Sequence, residues 1–223
     1  MKIIRLEKTT STNDYIKKFI KKGQDTLVLA KYQTEGRGTK GRSFSSDVGG
    51  IYLTRLKFYE NLSASDAFSI VIDVSMAVIK TLFAFGLKPK IKWPNDILVG
   101  DKKICGILTE NKIDNGQISY SIVGIGLNVT NKLDDELQSI ATTMTEILGK
   151  VDFEAVLMTL LFNLSGKSNM AEYARYSCVL GKDVTILEGG TEYKDRVEEI
   201  LPDGRIKLAN GKILSSAEIK LKV

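Results

Sequence analysis

Histidine is absent from the 223 residues, and the chain has only two cysteines, three prolines and one tryptophan. Without histidine, Ser–His–Asp and Cys–His mechanisms are excluded, so catalysis would depend on other charged side chains, backbone donors or a substrate-borne metal. Cys105 and Cys178 are far apart in the sequence, and no histidine completes a ligand set. We therefore predict no zinc site and no metal ligands from the protein.

Long uninterrupted apolar runs are also missing. The longest apolar stretch, residues 64–85, contains Asp66, Asp73 and Lys80, which a bilayer-spanning helix does not readily tolerate. The N-terminus lacks the apolar segment of a signal peptide. The net charge of +5 comes from cations scattered among acids. We expect a cytoplasmic protein with one anion site, no membrane partner, and a single core plus a small extra module.

A glycine-rich loop, residues 31–44, is the most informative segment. It lies between two apolar, β-prone runs at 26–30 and 50–58, so we expect it to connect two strands. We expect its three glycines to allow positive φ and to bring backbone N–H groups close to a ligand, with cationic side chains among them. This combination suits a phosphate or a carboxylate. An ordinary glycine-rich hairpin with solvated cations is the alternative.

The glycine spacing also matches two nucleotide-binding loops, but its context excludes both. A dinucleotide fingerprint needs a helix directly after the loop, whereas a strand-like run follows here. A protein kinase needs His-Arg-Asp and Asp-Phe-Gly elements, which this sequence lacks.

Polar residues at 11–13 precede a helical pattern that ends at Gly23. Ser11, Thr12 and Asn13 are all good N-cap residues, so helix capping and ligand binding both explain them. Further along, apolar periodicity predicts helices over 63–85, 143–148 and 152–176.

Turn residues predict three strands within residues 90–110 and a hairpin turn at 114–116. The next strand, 117–129, contains Gly124 and Gly126, which permit close backbone approach. After residue 180, short strands indicate a small β-barrel; they are expected at 183–187, 192–201, 205–208 and 212–214. We place one domain at 1–176 and a second at 177–223.

Four segments in this order resemble the biotin protein ligases, also called biotin–acetyl-CoA-carboxylase ligases. They are residues 11–14 (Ser-Thr-Asn-Asp), the loop 33–42, residues 92–110 (Lys-Trp-Pro-Asn-Asp, then Lys-x-x-Gly-Ile-Leu-x-Glu) and residues 124–129 (Gly-Ile-Gly-Leu-Asn-Val). Lys-Trp-Pro-Asn-Asp is the most specific motif, and the resemblance covers nearly the whole chain. It implies an α+β fold, with a mixed β-sheet flanked by helices as in class II synthetases and biotin ligases, and a C-terminal SH3-like β-barrel.

The resemblance implies a two-step reaction. Biotin and ATP give biotinyl-5′-AMP and pyrophosphate, and the biotinyl group then passes to one lysine of the biotin carboxyl carrier protein of acetyl-CoA carboxylase or a related carboxylase. Mg²⁺ is expected to arrive with ATP. Cations must offset the repulsion between a carboxylate and the α-phosphate. A lipoate–protein ligase-like enzyme and a non-catalytic biotin or nucleotide sensor are the alternatives.

The resemblance also implies roles for residues that match the family motifs. The implied catalytic residues are Lys103, Arg37 and Asp96, and Asp96 would orient or deprotonate the incoming lysine amine. The implied biotin-binding residues are Ser11, Thr12, Asn13, Gln33, Gly36, Arg37, Gly38, Thr39, Lys103 and Gly106. The implied adenylate-binding residues are Arg37, Gly38, Lys40, Gly41, Arg42, Phe44, Trp93, Asn95, Lys103 and Asn128.

The chain departs from the family pattern in two places. In the loop, Thr39 stands where the family usually has a second arginine, and Phe44 stands where it has a tryptophan. At the front, the catalytic pattern begins at Ser11. We therefore expect no room for the winged helix-turn-helix of members that repress transcription, and no DNA binding. Exposed strands in such a fold can support a homodimer.

Thr39→Arg is expected to slow the loss of biotinyl-5′-AMP, because in the family the arginine helps to order the loop over this intermediate. The measurement is the dissociation rate of biotinyl-5′-AMP from the wild type and the variant. Equal rates would contradict the idea that Thr39 loosens the retention of the adenylate.

Overall fold

The structure, a computed structural model, describes residues 2–215 and 217–221, and the side chains of all of these except Lys40. Seven strands form its larger sheet: β1 (Lys2–Thr9), β2 (Thr26–Gln33), β3 (Ile51–Phe58), β4 (Pro89–Lys92), β5 (Asp96–Val99), β6 (Lys102–Asp114) and β7 (Gln117–Leu127). Their order across the sheet is β1-β2-β3-β7-β6-β5-β4. The pair β1–β2 is parallel and the other neighbouring pairs are antiparallel.

Turn residues fix the hairpins of this sheet as predicted. Asn115 (φ 50°) and Gly116 (φ 74°) join β6 to β7, and both have the left-handed conformation that a two-residue hairpin turn requires. Gly100 (φ 61°) lies in the turn between β5 and β6. The sequence patterns do not predict β1, because all eight of its residues are exposed or half-buried and its charged side chains resemble those of a solvated segment.

In the described part of the chain, five α-helices accompany the strands: α1 (Thr12–Ile16), α2 (Phe68–Ala84), α3 (Met144–Leu148), α4 (Phe153–Asn163) and α5 (Met170–Tyr176). The prediction of one helix over 152–176 is wrong, since α4 and α5 are separate. Asn169 starts the second helix with a capping box, in which its side chain accepts from the Glu172 N–H at 3.0 Å and the Glu172 carboxylate accepts from the Asn169 N–H at 3.2 Å.

Helix α2 packs against the sheet and forms the centre of the core. Ile70, Val74, Val78 and Leu82 are buried at helical spacing, as predicted. The segment Ala64–Ala84, with a mean hydropathy of 1.8, is long and apolar enough to cross a membrane by length and composition, yet 61% of its most apolar window is buried. This burial is typical of the core helix of a soluble protein.

A smaller antiparallel sheet follows α5. Its strands are β8 (Asp183–Glu188), β9 (Thr191–Ile200), β10 (Ile206–Leu208), β11 (Ile213–Leu214) and β12 (Glu218–Leu221), in the order β11-β10-β9-β8-β12. The four predicted strands are present, and β12 was not predicted. The α+β class, with a mixed sheet flanked by helices and a second small β-module, is confirmed. The domain boundary after residue 176 stays a prediction, because one continuous apolar cluster includes residues from both modules.

The Trp93-Pro94-Asn95 turn joins the two modules. The buried Trp93 indole donates to the Gly204 carbonyl at 2.7 Å, and the Tyr173 hydroxyl of α5 donates to the Pro94 carbonyl at 2.7 Å. The Tyr173 ring contacts Phe68 edge-on. Burial raises the pKa of Tyr173 far above its ordinary value, so its hydroxyl remains a donor at any working pH. The turn is thus held by hydrogen bonds from inside the core.

Tyr173→Phe is expected to lower the free energy of unfolding by about 1–3 kcal/mol, because the Pro94 carbonyl then loses a buried donor while the packing volume is retained. Urea unfolding of the whole chain measures the change. Tyr176→Phe is the matched control: its ring packs on Phe83 and its effect should stay within about 0.5 kcal/mol. Equal effects of the two substitutions would show that the Tyr173 hydrogen bond does not stabilise the turn.

Candidate functional site

One cavity lies between the start of α1, the glycine loop and the central strands β5, β6 and β7. Its lining consists of Ser11, Thr12, Asn13, Gln33, Arg37, Gly38, Thr39, Phe44, Asn95, Asp96, Lys103, Gly106, Ile107, Leu108, Gly124, Ile125 and Gly126. Most residues that the sequence predicts for the site therefore meet here, although they come from five separate segments. Gly36, Gly41, Arg42, Trp93 and Asn128 are not part of this lining, and the side chain of Lys40 lies outside the described part of the chain.

Three glycines form the floor of the cavity. Gly106 of β6 and Gly126 of β7 are directly paired across the sheet, while Gly124 pairs with Thr54 of β3. A Cβ atom on Gly124 would collide with Asn13 Oδ1, and one on Gly126 would lie 2.5 Å from the Phe44 ring. The predicted close backbone approach at Gly124 and Gly126 is confirmed, since α1 and the loop rest directly on the bare sheet.

The glycine loop is folded as a small hairpin. The Gly38 N–H donates to the Arg42 carbonyl at 2.7 Å, and the Phe44 N–H donates to the Gly36 carbonyl at 2.8 Å. The three glycines were expected to allow positive φ, and of the three only Gly41 has it (φ 74°). Gly36 is required for a different reason: a Cβ there would collide with Phe44 O and Ser46 Oγ. In this conformation the Gly38 N–H is occupied by a hydrogen bond within the loop.

The inner end of the cavity is polar and buried. Ser11, Thr12 and Asn13 are each at most 5% exposed, and Ser11, the N-cap residue of α1, makes no capping hydrogen bond through its side chain. Helix capping therefore does not explain this polar segment. The side chains of Thr12 and Asn13 instead enter a hydrogen-bond network with β2 and β3.

This network fixes the orientation of Gln33. The Gln33 carbonyl oxygen accepts from the Thr12 N–H at 2.8 Å and from the Thr12 hydroxyl at 2.9 Å. The Gln33 amide group donates to Ser46 Oγ at 2.8 Å, and the Ser46 hydroxyl donates to the Phe44 carbonyl at 2.9 Å. The inner end of the cavity is thereby connected to the end of the glycine loop.

Three further members of the network were not predicted from the sequence: Ser46, Thr54 and Glu110. The buried Thr54 hydroxyl donates to Asn13 Oδ1 at 2.7 Å and also lies 2.8 Å from Thr12 Oγ1. The Asn13 amide group donates to Glu110 Oε2 at 3.4 Å. Thr54 could have been recognised as a candidate because it is a hydroxyl residue within the apolar run 51–56. Glu110 could have been recognised because it ends the Lys-x-x-Gly-Ile-Leu-x-Glu motif.

Two ion pairs occupy the outer end of the cavity. Lys103 Nζ lies 2.6 Å from Asp96 Oδ1, and both side chains are about one-third exposed or less. Arg37 Nη2 lies 2.7 Å from Asp14 Oδ2, a partner that the sequence reasoning did not assign to the site. The Lys103 ammonium also lies 5.8 Å from the centre of the Phe44 ring. An anionic ligand here would compete with Asp96 and Asp14 for the two cations.

The remaining predicted residues lie outside this centre. Arg42 and Trp93 line a second cleft, which shares Thr39, Asn95 and Asp96 with the cavity and is also lined by Ser215, Ala217, Glu218 and Ile219. The Asn95 amide group donates to the Ile107 carbonyl. Asn128 is buried away from both openings, where it donates to the Thr142 carbonyl and accepts from the Asn131 amide, each at 3.2 Å.

Cys105 lies beside the site in sequence but faces the core. It is fully buried, and burial raises its pKa far above the ordinary value of a thiol. The thiol therefore stays protonated, which removes it as a nucleophile. Among the described residues, no group of three or more Cys, Asp or Glu side chains is placed to hold a metal ion.

Comparison with known proteins gives a coherent set of relatives. The model of the biotin/lipoate A/B protein ligase family matches residues 5–128. The bifunctional ligase/repressor BirA of Bacillus spizizenii is 36% identical over 144 residues, which are 62% of this chain and 44% of that protein. The biotin–[acetyl-CoA-carboxylase] ligase of Mycobacterium tuberculosis is 25% identical over 205 residues, 83% of this chain and 73% of that protein. The chain thus spans less than half the length of the bifunctional relative.

A solved structure agrees with these relatives. The biotin protein ligase from Aquifex aeolicus, in complex with biotin and ATP, superposes with a TM-score of 0.77 at 26% sequence identity, and the match covers 99% of each chain. The family match, which spans more than half of the chain, includes every residue that lines the cavity, from Ser11 to Gly126. The chain therefore belongs to the biotin/lipoate A/B protein ligase family.

Proposed function

We propose that the protein is an ATP-dependent biotin protein ligase, which converts biotin to biotinyl-5′-AMP and transfers the biotinyl group to a lysine of a biotin carboxyl carrier domain. One observation carries the proposal. A single cavity combines a buried polar end at Thr12, Asn13 and Gln33 with a cationic end at Arg37 and Lys103. A ligand with a polar, uncharged head and an anionic tail is complementary to this arrangement.

In the first step, a carboxylate oxygen of biotin attacks the α-phosphorus of ATP, the bond to the pyrophosphate leaving group breaks, and a mixed anhydride forms. Both reactants are anionic, so their approach needs positive charge at the point of contact. Lys103 and Arg37 both line the cavity and supply this charge. Mg²⁺ enters with ATP as part of the substrate.

In the second step, the acceptor lysine amine attacks the acyl carbon, AMP leaves, and the amine loses a proton. In this proposal Asp96 takes the proton, which is supported by its position in the lining of both the cavity and the second cleft. The phosphate of the bound intermediate draws Lys103 toward itself, which weakens the 2.6 Å pair between Lys103 and Asp96. Adenylation thus prepares the base for the transfer.

The proposal extends to partners and location. The acceptor is a carboxyl carrier domain of acetyl-CoA carboxylase or a related carboxylase, and the protein acts in the cytoplasm. A homodimer through the exposed edge strand β1 is compatible with this arrangement, because that edge lies across the sheet from β5 and Asp96.

Pyrophosphate release from Mg-ATP should require biotin and should fall by about 10²–10³-fold in Lys103→Ala, because one preorganised cation is lost at the reacting centre. Lys102→Ala is the matched control: its exposed ammonium contacts only the Gln138 carbonyl among the described residues, and its rate should stay within about twofold of the wild type. The assay compares biotin, lipoate and no acid.

Each outcome of this assay separates the alternatives. Release that depends on lipoate but not on biotin would replace the proposal with a lipoate–protein ligase. Biotin binding without release by the wild type would indicate a sensor that does not turn over. Equal rates for Lys103→Ala and Lys102→Ala would remove Lys103 from the reaction.

Asp96→Asn should slow transfer from preformed biotinyl-5′-AMP to the carrier lysine by about 10²–10⁴-fold, because the amide cannot accept the proton. Single-turnover transfer measures this step without the first one. The control is Asp101→Asn, an exposed position in the turn between β5 and β6. If transfer in Asp96→Asn regains the wild-type rate at saturating carrier, Asp96 positions the acceptor and does not act as the base.

A further inference from the structure

A strongly basic surface extends from the rim of the cavity. After α1 the chain continues as the 3₁₀ helix Lys17–Lys22, whose sequence Lys-Lys-Phe-Ile-Lys-Lys contains four exposed lysines and no acid. Lys2, at the start of β1, is also exposed and lies beside this helix, since it shares the Phe19 ring with Lys22. We refer to Lys2, Lys17, Lys18, Lys21 and Lys22 as the basic surface.

The geometry of the helix concentrates this charge. A 3₁₀ helix has three residues per turn, so side chains at positions i and i+3 lie directly above one another. Lys18 and Lys21 therefore share one row, where two like charges repel. Of the described carboxylates, none lies within 4.0 Å of the ammonium groups of Lys2, Lys18, Lys21 or Lys22. The positive charge of these four lysines is thus left uncompensated by the protein.

Aromatic rings hold three of these lysines in place. Lys18 Nζ lies 4.3 Å from the centre of the Tyr15 ring, and Lys22 Nζ and Lys2 Nζ lie 5.2 Å and 5.3 Å from the centre of the Phe19 ring. A cation–π contact fixes an ammonium group without cancelling its charge, whereas an ion pair would cancel it. The lysines are therefore oriented and remain free to bind an external carboxylate.

The basic surface begins at the mouth of the active site. Lys17 Nζ lies 3.0 Å from Asp14 Oδ1, and Asp14 Oδ2 lies 2.7 Å from Arg37, which lines the cavity. Six residues of 3₁₀ helix extend about 12 Å, while a domain of 100 residues has a radius of gyration of about 13 Å. A protein domain that delivers a lysine to the cavity is large enough to cover this helix as well.

We propose that the basic surface is a docking site for the acceptor protein, and that it binds a face of the acceptor domain on which carboxylates flank the target lysine. This inference rests on the proposed function, since it concerns the partner of the second step. An acceptor lysine surrounded by carboxylates is complementary to a cavity whose mouth adjoins, through Lys17, a helix with uncompensated lysines. Contacts of this kind speed encounter and set orientation more than they add affinity.

A nucleic acid is the other polyanion that a basic surface attracts, and the structure favours it less. Binding of single strands relies on aromatic rings that are open for base stacking. Here the two rings of the surface, Tyr15 and Phe19, already carry lysine ammonium groups on their faces. The surface also adjoins the cavity, which has to admit a protein side chain in the proposed reaction.

The test compares the triple variant Lys18→Glu/Lys21→Glu/Lys22→Glu with the matched variant Lys150→Glu/Lys182→Glu/Lys194→Glu. Both change the net charge equally, and the control lysines are exposed and distant in sequence. The measured step is transfer from preformed biotinyl-5′-AMP to the apo carrier domain of acetyl-CoA carboxylase, at several salt concentrations. The triple variant should raise the KM for the carrier about tenfold at low salt and flatten its salt dependence, with kcat within about twofold.

Biotin-dependent pyrophosphate release should be the same in the wild type and both variants, which shows that the fold and the first step are intact. A KM unchanged in the triple variant, or raised equally in the control variant, overturns the proposal. A different outcome is that the wild type binds a short duplex DNA or RNA in a salt-sensitive way. If only the triple variant loses this binding and its KM for the carrier is unchanged, the surface is assigned to nucleic acid. If the wild type releases no pyrophosphate with biotin, the proposed function fails; direct binding of the carrier domain to the two variants then still tests the surface.

Discussion

The site depends on one steric constraint: the centre of the larger sheet must be free of side chains where α1 and the glycine loop rest on it. Gly124 lies under Asn13, and Gly126 lies under Phe44. Any Cβ at these positions would lift either the start of α1 or the loop away from β6 and β7. The polar network at the inner end and the ion pairs at the outer end both require this close approach, since their members come from the sheet, the helix and the loop together.

The hydrogen-bond network fixes the orientation of the side chains at the inner end of the cavity and links this end to the glycine loop. The carbonyl oxygens of Asn13 and Gln33 and the Gln33 amide group are already bonded to protein partners, so these side chains hold one orientation. A buried group that loses its partner costs about 1–3 kcal/mol, and this penalty disfavours rotation of either amide. Since Ser46 passes the network on to the Phe44 carbonyl, a ligand that rearranges Gln33 also changes the support of the loop.

Local sequence predicted the parts of the fold that depend on turn chemistry and periodicity. The Asn115-Gly116 hairpin, helix α2 and four of the five strands of the small sheet are examples. Strand β1 and the break between α4 and α5 were missed for different reasons. The side chains of β1 are mostly solvated, so only parallel pairing with β2 makes it a strand. The break between α4 and α5 depends on the capping box of Asn169, which starts a new helix although the apolar pattern over 152–176 continues without interruption.

The family resemblance identified most residues of the candidate site. It did not indicate which of their polar atoms already have hydrogen-bond partners within the protein. Trp93 and Asn128 match family motifs, yet their polar groups are bonded within the protein to Gly204 and to Thr142 and Asn131. Partners such as Asp14, Thr54 and Glu110 depend on three-dimensional proximity across up to 97 residues, which spacing along the chain does not reveal. The roles of the individual site residues therefore stay predictions that the proposed experiments test.

In the proposed reaction, the arrangement of charge allows one cavity to serve two steps. In the structure both cations that line the cavity have a carboxylate partner: Asp96 for Lys103 and Asp14 for Arg37. In the proposed reaction, binding of the anionic reactants draws the cations toward the phosphate and so releases the carboxylates. Asp96, which we propose as the base, lines the second cleft, whereas Asp14 lies next to Lys17 at the edge of the basic surface. The proposed first step thereby changes the charge at both places where the acceptor would arrive, because each place contains one carboxylate of these two ion pairs.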